Sequence, residues 1–331
     1  MKHNVLPVIL IIISLLFSGC PKDADDNGPE DGVNFRQEMR TFVQTISNDA
    51  QGFNASFIVI PQNGQELLTV NGEETGEPVL EYLSAIDGTG REDLFYGYDE
   101  DNVPTPVSEK NSMLTFLDIA ETNGVEVLVI DYCWTPSYVD DSYANSEIKG
   151  YISFAAEHRD LDIIPSYPAI PYNVNNQDIT NLSAARNFLY LIDAGLFSSK
   201  NEFIDSLKQT NFDIIILDLF FNDIELTTAD ISSLGNKADG GSRLLIAYMS
   251  IGEAEDYRYY WKAEWDANPP DWMGDENPNW PGNFKVKYWN PEWQTIIYGN
   301  NNSYLKKILD AGFDGVYLDI IDAFEYFENQ Q

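Results

Sequence analysis

Short runs of β-branched and other apolar residues alternate with amphipathic stretches from Phe35 onward. Such alternation predicts parallel strands connected by helices. The runs at 127–130, 214–217 and 244–247 are apolar at consecutive positions, which indicates strands buried on both faces. Strands are predicted at 56–60, 94–98, 125–132, 162–167, 187–192, 212–219, 243–249 and 315–321. Eight strands alternating with helices predict an α/β fold, a single (β/α)8 TIM barrel over residues 34–331.

Helices are predicted where apolar residues recur three or four positions apart. Four sets show this spacing: Met113, Leu114 and Leu117; Ile148, Tyr151, Ile152 and Ala155; Phe203, Ile204 and Leu207; Tyr304, Leu305, Ile308 and Leu309. An open doubly wound sheet is the alternative fold, but no glycine-rich nucleotide fingerprint or P-loop follows any predicted strand. The sequence therefore favours the barrel.

A long insertion at 257–290 follows the predicted strand at 243–249 and holds five of the seven tryptophans. These are Trp261, Trp265, Trp272, Trp280 and Trp289. Aromatic rings at the mouth of a barrel suit stacking against sugar rings. The alternative is that the insertion simply packs over the barrel, and the sequence leaves both readings open.

The first 33 residues are predicted to export and anchor the protein. Residues 1–19 have Lys2 followed by an apolar run too short to span a bilayer comfortably, as in a secretory signal peptide. The tripeptide before Cys20 resembles a bacterial lipobox, which predicts lipidation of Cys20 and anchoring to a membrane. Residues 20–33 are acidic and polar, as in a flexible tether. The predicted location is the bacterial cell surface or periplasm; a plain signal peptide is the alternative.

Composition excludes some partners and limits covalent stabilisation. The chain has 19 Lys plus Arg residues against 54 Asp plus Glu, a net charge of −35, which excludes a nucleic-acid binder that relies on phosphate neutralisation. Its 44% hydrophobic content is enough to bury a sizeable core. Cys133 is the only cysteine besides Cys20, so acylation of Cys20 would leave no intramolecular disulfide.

Carboxylates collect where the predicted strands end. Asp131, Asp193, Asp218, Glu253 and Asp319 each follow apolar residues, and in a βα barrel such positions face the catalytic mouth. Any single one could instead cap a helix. Glycoside hydrolysis requires one carboxylic acid to protonate the leaving oxygen and a second carboxylate as nucleophile or base. An acidic groove would also favour a cationic ligand such as a deacetylated amino sugar.

Other chemistries have weaker support in the sequence. His158 alone cannot build a histidine-based zinc site, and Cys133 has no CxxC partner. A Ser-His-Asp triad would require His158, which lies in a polar Glu-His-Arg segment typical of a surface. Calcium ligands are conceivable among the acids, but no EF-hand spacing occurs. We therefore predict no metal and no cofactor.

Four segments together resemble glycoside hydrolase family 114. They are AYMSIGEAEDYRYYW (247–261), WPGNFKVKYWNPEW (280–293), GFDGVYLDIIDAFEYF (312–327) and FIVIPQNGQELL (57–68). The family covers endo-α-1,4-polygalactosaminidases and bacterial relatives once labelled cysteinyl-tRNA synthetase-related. The resemblance implies a TIM barrel that hydrolyses a galactosamine-rich polysaccharide.

The order of these segments differs from the family's usual order. In the family the GFDGVYLD segment precedes the IPQNG segment, whereas here it comes last, so the resemblance implies a circularly permuted barrel. Strand 57–60 should then pair with 316–318, and the helix at 34–51 should cover the barrel beside the last strand.

The resemblance also implies site residues. Asp319 matches the family's catalytic aspartate by motif. The family's second carboxylate lies near the end of the next strand, where this chain has Pro61, Gln62 and Asn63 and no acid. Glu253 is the preferred partner, with Asp131 and Asp218 as further catalytic candidates and Glu66 nearby. The residues expected to hold the sugar are Gln62, Asn63, Trp134, Tyr248, Tyr257, Arg258 and Asp322.

Alternatives remain at this point, one for Arg258 and two for the whole protein. Arg258 could be a structural ion-pair partner of Glu255 or Asp256 instead of a sugar ligand. The whole protein could be a non-catalytic carbohydrate-binding surface lipoprotein, which the missing acid favours, or a purely structural barrel. The several strand-end carboxylates oppose the binding lipoprotein, because binding alone does not require so many desolvated acids.

Overall fold

The computed structural model describes residues 32–330. The signal peptide, Cys20 and nearly all of the tether therefore lie outside the described residues. The strands are β1 Ile58–Pro61, β2 Gly88–Glu92, β3 Glu126–Tyr132, β4 Ile152–Ala156, β5 Phe188–Leu191, β6 Ile214–Leu217, β7 Phe220–Phe221, β8 Ile224–Glu225, β9 Leu244–Ser250, β10 Glu253–Glu255, β11 Met273–Glu276, β12 Asn283–Val286 and β13 Gly315–Asp319. The α-helices are α1 Phe35–Phe53, α2 Leu80–Leu83, α3 Val107–Thr122, α4 Pro136–Lys149, α5 Lys200–Lys208, α6 Thr228–Leu234, α7 Pro291–Ile297, α8 Tyr304–Ala311 and α9 Ala323–Glu328.

Parallel strands build the centre of the domain. One sheet has the order β1-β13-β9-β6-β5 and a second the order β2-β3-β4, and every pairing within both is parallel. Single parallel bridges, Gln62 to Gly90 and Ser153 to Asn187, join the edges of the two sheets. The result is an α/β fold with a TIM-barrel-like arrangement of strands. No helix among residues 32–330 is long and apolar enough to cross a membrane.

The first and last parallel strands lie side by side. Ile58 pairs with Gly315, and the register continues to Pro61 opposite Leu318, so the predicted pairing of these segments is present. Helix α1 begins at its N-cap Asn34, whose side chain accepts a hydrogen bond from the Gln37 amide. The helix packs against β1, α8 and α9. The circular permutation itself stays a prediction.

Two of the predicted strands are wrong. The second strand is Gly88–Glu92, not 94–98, and the fourth is Ile152–Ala156, not 162–167. Ile152 and Ala155 were predicted to be helical, but helix α4 ends at Lys149 and Gly150 follows in the left-handed conformation, a common helix stop. The chain beyond it is extended.

Tyrosine side chains fill part of the interior of the strand array. Tyr190 and Tyr317 meet edge to face with ring centroids 5.2 Å apart, and both are buried. A Cβ on Gly90 would lie 1.9 Å from the Tyr317 hydroxyl. Strand β2 therefore needs glycine at this position, because a side chain of a neighbouring strand occupies the space.

A buried ion pair ties β6 to the segment before β9. The Lys237 ammonium lies 2.8 Å from an oxygen of Asp213, and neither side chain is exposed. Lys237 also donates to the Asn175 carbonyl at 2.8 Å. Removing one partner of such a pair leaves an uncompensated buried charge, which is strongly destabilising.

The tryptophan-rich insertion is mostly a packed subdomain. Strands β10, β12 and β11 form an antiparallel sheet, and Trp265 and Trp272 are buried, with ring centroids 5.2 Å apart. Trp272 in turn contacts Trp293 of α7. Packing therefore accounts for these rings, whereas Trp280 is half exposed and faces the cavity described next.

Candidate active site

A cavity of about 800 Å³ opens where the parallel strands end. Each of the eight parallel strands contributes a lining residue from its last positions or from the loop that follows it: Asn63, Glu92, Tyr132, Arg159, Asp193, Asp218, Tyr248 and Asp319. Convergence of loops at this end is how βα architectures build binding sites. The acids predicted at 193, 218, 253 and 319 all line it.

Asp319 is the last residue of β13 and is half-buried in the cavity wall. One of its oxygens accepts a hydrogen bond from the Tyr248 hydroxyl at 2.7 Å, and the other accepts one from the Ile320 amide at 2.8 Å. Burial raises the pKa of Asp319 to about 8, with a further increase from the charge of Glu92. Asp319 is therefore protonated at neutral pH.

The residue after Asp319 has an unusual backbone. Ile320 has φ of 58°, the left-handed region that a β-branched residue rarely adopts. A Cβ on Gly252 would lie 2.1 Å from the Ile320 carbonyl oxygen, so the absence of a side chain at Gly252 makes room for this turn. The turn points the Ile320 amide at Asp319 and fixes the orientation of its carboxyl group.

Glu92 also lines this part of the cavity, and the sequence prediction missed it. One Glu92 oxygen accepts a hydrogen bond from the Asn63 side-chain amide at 2.7 Å, and the other accepts one from the Tyr132 hydroxyl. Asn63 reaches it from a turn in which Asn63 and Gly64 have φ of 59° and 56°, values that these two residue types tolerate. Glu92 escaped prediction because its strand, Gly-Thr-Gly-Arg-Glu, has no apolar residue.

Arg159 secures the wall beside Glu92. Its guanidinium lies over the Tyr132 ring, 4.1 Å from the centroid, and forms ion pairs of 2.8 Å with both Asp93 and Asp101. These contacts hold the tyrosine whose hydroxyl donates to Glu92. Arg159 follows β4, a strand that the sequence predicted to be helical.

Arg258 binds two acids on another wall of the cavity. It lies 2.7 Å from Asp218 and also pairs with Glu255 at 2.5 Å, and all three side chains are buried. Tyr257 donates to the same Glu255 at 2.7 Å. The ion-pair alternative for Arg258 is therefore what the structure shows, with Asp218 as second partner instead of Asp256. Burial raises the pKa of Asp218, and Arg258 opposes that increase.

Glu253 lies on β10 and is only 1% exposed. One oxygen accepts a hydrogen bond from Asn277 at 2.8 Å and lies 3.4 Å from the Lys285 ammonium. The second oxygen is buried without a hydrogen-bond partner among the described residues. Glu253 thus reaches the cavity from the antiparallel sheet, and one of its oxygens forms an ion pair with Lys285.

Of the remaining predicted sugar ligands, Gln62 and Asp322 line the cavity and Trp134 does not. Gln62 lines the cavity, where it accepts a hydrogen bond from Tyr190 at 3.0 Å. Asp322 lines it too, and burial together with the charges of Glu325 and Glu92 raises its pKa to about 7. Trp134 is half exposed but lies outside the cavity lining.

Asp131 was predicted to be a catalytic candidate, and the structure corrects this prediction. It is fully buried and lies outside the cavity lining. One oxygen accepts the amides of Phe95 and Tyr96, and the other accepts the Ser142 hydroxyl at 2.6 Å. The carboxylate anchors the loop after β2 instead of facing a substrate, and the structure gives it a structural role. Glu66 also lies outside the lining.

Exposed aromatic rings surround the mouth. Tyr257, Tyr259 and Trp280 line the cavity, and between 39% and 54% of each is exposed. Rings held at the edge of a groove offer flat apolar faces to a sugar. Asp160, which also lines the cavity, lies with His158 and Asp162 in a group whose potential metal ligand atoms are within 4.8 Å of one another, the one such group among residues 32–330.

Comparison with known proteins shows a family resemblance in the C-terminal half of the chain. Residues 174–331 match the model of glycoside hydrolase family GH114. An uncharacterized protein of Methanocaldococcus jannaschii is 44% identical over 153 residues, which is 46% of this chain and 42% of the relative. Uncharacterized proteins of Thermotoga maritima and Deinococcus radiodurans are 39% and 38% identical, over 42% and 38% of this chain and 41% and 39% of the relatives.

The matches thus span about two fifths of the length of each curated relative. The residues that match the family model include the strands from β5 to β13, and with them Asp218, Glu253 and Asp319. Residues 174–331 are thus similar to glycoside hydrolase family 114, the family that the sequence resemblance predicted.

Proposed function

We propose that the protein is a glycosidase that cleaves a galactosamine-rich polysaccharide, with Asp319 as the proton donor. The observation that carries the proposal is the raised pKa of Asp319, about 8, in a carboxylate-lined cavity at the strand ends. A carboxylic acid that keeps its proton at neutral pH can protonate the oxygen of a leaving sugar. The family match supports hydrolysis of a glycosidic bond.

The charge of the cavity supports an amino sugar as substrate. Acidic side chains line several of its walls, and its two arginines, Arg159 and Arg258, are paired with acids. Protonated amines would be attracted to such a groove, whereas uronic acids would be repelled. The rim rings Tyr257, Tyr259 and Trp280 would stack on successive sugars.

The proposal includes the architecture and the location of the enzyme. We infer that the bridges between the two sheets close a (β/α)8 barrel. The pairing of β1 with β13 supports a circular permutation of the family order, because the IPQNG segment lies before residues 174–331 in the chain. We further propose that the domain is exported and is anchored to a bacterial membrane through a lipid on Cys20.

The test is cleavage of partially deacetylated galactosaminogalactan by the domain from Asn34 onward. New reducing ends are measured for the parent, for Asp319→Asn and for Asp223→Asn, an exposed aspartate of the same cavity. The proposal expects activity in the parent and Asp223→Asn and its loss in Asp319→Asn. Full activity in Asp319→Asn would refute the assignment of the proton donor.

A second candidate is capture of the same glycan without cleavage. The observation that favours it is Asn63, an amide at the position where the family resemblance places a catalytic acid. Glycan binding that stabilises the domain, without any product from the parent, would select this candidate. If the parent shows neither glycan binding nor product, a purely structural barrel is the remaining interpretation.

A further inference from the structure

We propose that His158, Asp160 and Asp162 form a binding site for a divalent transition metal ion, with Zn²⁺ as the expected ion. The three residues lie in the loop after β4, and Asp160 lines the edge of the cavity. The site uses none of the carboxylates assigned to catalysis, and it goes beyond the proposed function because it does not depend on which glycan is cleaved. One imidazole with two carboxylates also differs from the histidine-based zinc site that the sequence excluded.

The three side chains present their ligand atoms to one small space. They occupy alternate positions of the chain, and one ligand atom from each lies within 4.8 Å of the others. Nε2 of His158 lies 3.3 Å from Oδ1 of Asp162. A tetrahedral zinc ion with bonds of about 2.0–2.1 Å separates its ligand atoms by about 3.3–3.4 Å. These two atoms therefore already have the spacing of metal ligands, and the exposed Asp160 is free to rotate toward the same ion.

Asp162 presents a buried oxygen that no group of the described chain satisfies. The residue is only 9% exposed. Its Oδ1 atom, which faces His158, is inaccessible and has no hydrogen-bond partner among residues 32–330. Buried polar atoms are normally paired, because leaving one unpaired costs free energy. Coordination of a cation would supply that interaction.

An ordinary ion pair is the alternative explanation for the cluster. A protonated His158 would donate charge-assisted hydrogen bonds of about 2.7–2.9 Å to Asp160 and Asp162. The separations are 3.8 Å and 3.3 Å instead. Neither is a hydrogen bond, since Nδ1 of His158 and Oδ1 of Asp162 both lack a partner in the described part of the chain. The geometry therefore favours a cation shared by these groups over a proton shared by them.

The loop that carries the ligands is held in place by its other residues. Arg159, between the first two ligands, forms ion pairs of 2.8 Å with Asp93 and Asp101. The carbonyl of Leu161, between the last two, accepts the amide of Ile192 after β5 at 3.0 Å. Because these contacts fix the backbone on both sides, metal binding has little conformational entropy left to overcome.

The donor set selects the class of ion. Imidazole nitrogen suits Zn²⁺ and other transition metals, whereas Ca²⁺ and Mg²⁺ are bound mainly by oxygen. The two carboxylates balance the charge of a divalent ion, and water can complete the coordination of three protein ligands. We therefore expect Zn²⁺ to bind at least about tenfold more tightly than Ca²⁺ or Mg²⁺.

The experiment measures Zn²⁺ binding to the untagged domain from Asn34 onward, a compact unit in which His158 is the only histidine. Isothermal titration calorimetry should find one Zn²⁺ per chain in the parent. His158→Gln and Asp160→Asn, at positions that are not fully buried, should weaken binding about tenfold or more. Asp223→Asn is the matched control: it removes the same charge from another exposed position of the cavity and should bind like the parent.

Two further measurements locate the ion. With ¹⁵N-labelled histidine the domain gives the signals of a single imidazole, and one equivalent of Zn²⁺ should shift them. At a free Zn²⁺ concentration of about 100 times Kd, Tm of the parent should rise by about 5–11 °C, and that of His158→Gln should rise less.

The inference is overturned if His158→Gln binds Zn²⁺ as tightly as the parent, which would show adsorption to acidic surface groups only. It is also overturned if the imidazole signals do not move, or if Ca²⁺ binds more tightly than Zn²⁺. None of these measurements uses a glycan. A failed cleavage assay therefore leaves the metal site standing, and an absence of Zn²⁺ binding leaves the proposed glycosidase standing.

Discussion

Replacing Asp319 by Asn is expected to stabilise the protein while abolishing catalysis. The folded state holds the proton of Asp319 up to about pH 8, whereas the unfolded chain releases it near the ordinary value of 3.8. Between these values folding must take up a proton, so the parent loses stability as the pH rises. Asparagine is neutral and similar in shape, so it lacks this dependence.

The magnitude follows from the pH interval. Between pH 3.8 and pH 7 the parent loses about 4 kcal/mol of its free energy of unfolding, at about 1.36 kcal/mol per pH unit. The carboxyl group keeps some contact with water in the cavity, so we expect Asp319→Asn to be more stable by ~2–4 kcal/mol at pH 7. At about 2–4 °C per kcal/mol, Tm should rise by roughly 4–16 °C.

The assay is urea unfolding and thermal unfolding of parent and variant between pH 4 and pH 9. The stability difference should be near zero at pH 4, grow with pH and level off above about pH 8. Asp223→Asn, at an exposed position of the cavity, should show no such trend. A variant that is no more stable than the parent at pH 7, or a difference that is independent of pH, would refute the assignment of a raised pKa to Asp319.

Three other substitutions have expected outcomes. Tyr248→Phe removes a hydrogen bond that lowers the pKa of Asp319, so the basic limb of the pH-rate profile should move to higher pH; an unmoved limb would contradict this. Lys237→Met leaves Asp213 buried without its cation and should cost about 3–5 kcal/mol in urea unfolding; a loss below 1 kcal/mol would show that water reaches the site. Trp280→Ala removes an exposed rim ring and should raise KM about tenfold, with a smaller change in kcat, in steady-state kinetics; an unchanged KM would exclude stacking there.

The sequence predicted those strands whose own residues supply the buried surface. Strands β3, β6 and β9 are continuous apolar runs, and burial on both faces explains that pattern. Strand β2 was misplaced because glycines form its inner positions, and Tyr317 from another strand fills the space beside Gly90. Its hydrophobic contacts are contributed from elsewhere in the chain, so no pattern in β2 itself could reveal it.

The same misplacement hid Glu92. With the strand predicted at 94–98, the acid at position 92 appeared to lie before a strand instead of at its end. Asp319 was predictable because its strand is apolar up to the acid and its motif is specific. Asp131 follows the same rule, yet it bonds to the amides of Phe95 and Tyr96, a contact between distant segments that strand-end patterns cannot show.

The left-handed backbone at Ile320 reverses the usual order of tolerated substitutions. At the majority of half-buried aliphatic positions, valine or leucine can replace isoleucine with little loss of stability, whereas glycine is poorly accepted. Here φ of 58° disfavours every β-branched side chain, so glycine and asparagine would relieve local strain of order 1–3 kcal/mol. Those same residues would widen the range of orientations open to the preceding carboxyl group. Backbone strain at Ile320 and a fixed orientation of the Asp319 carboxyl group therefore come together.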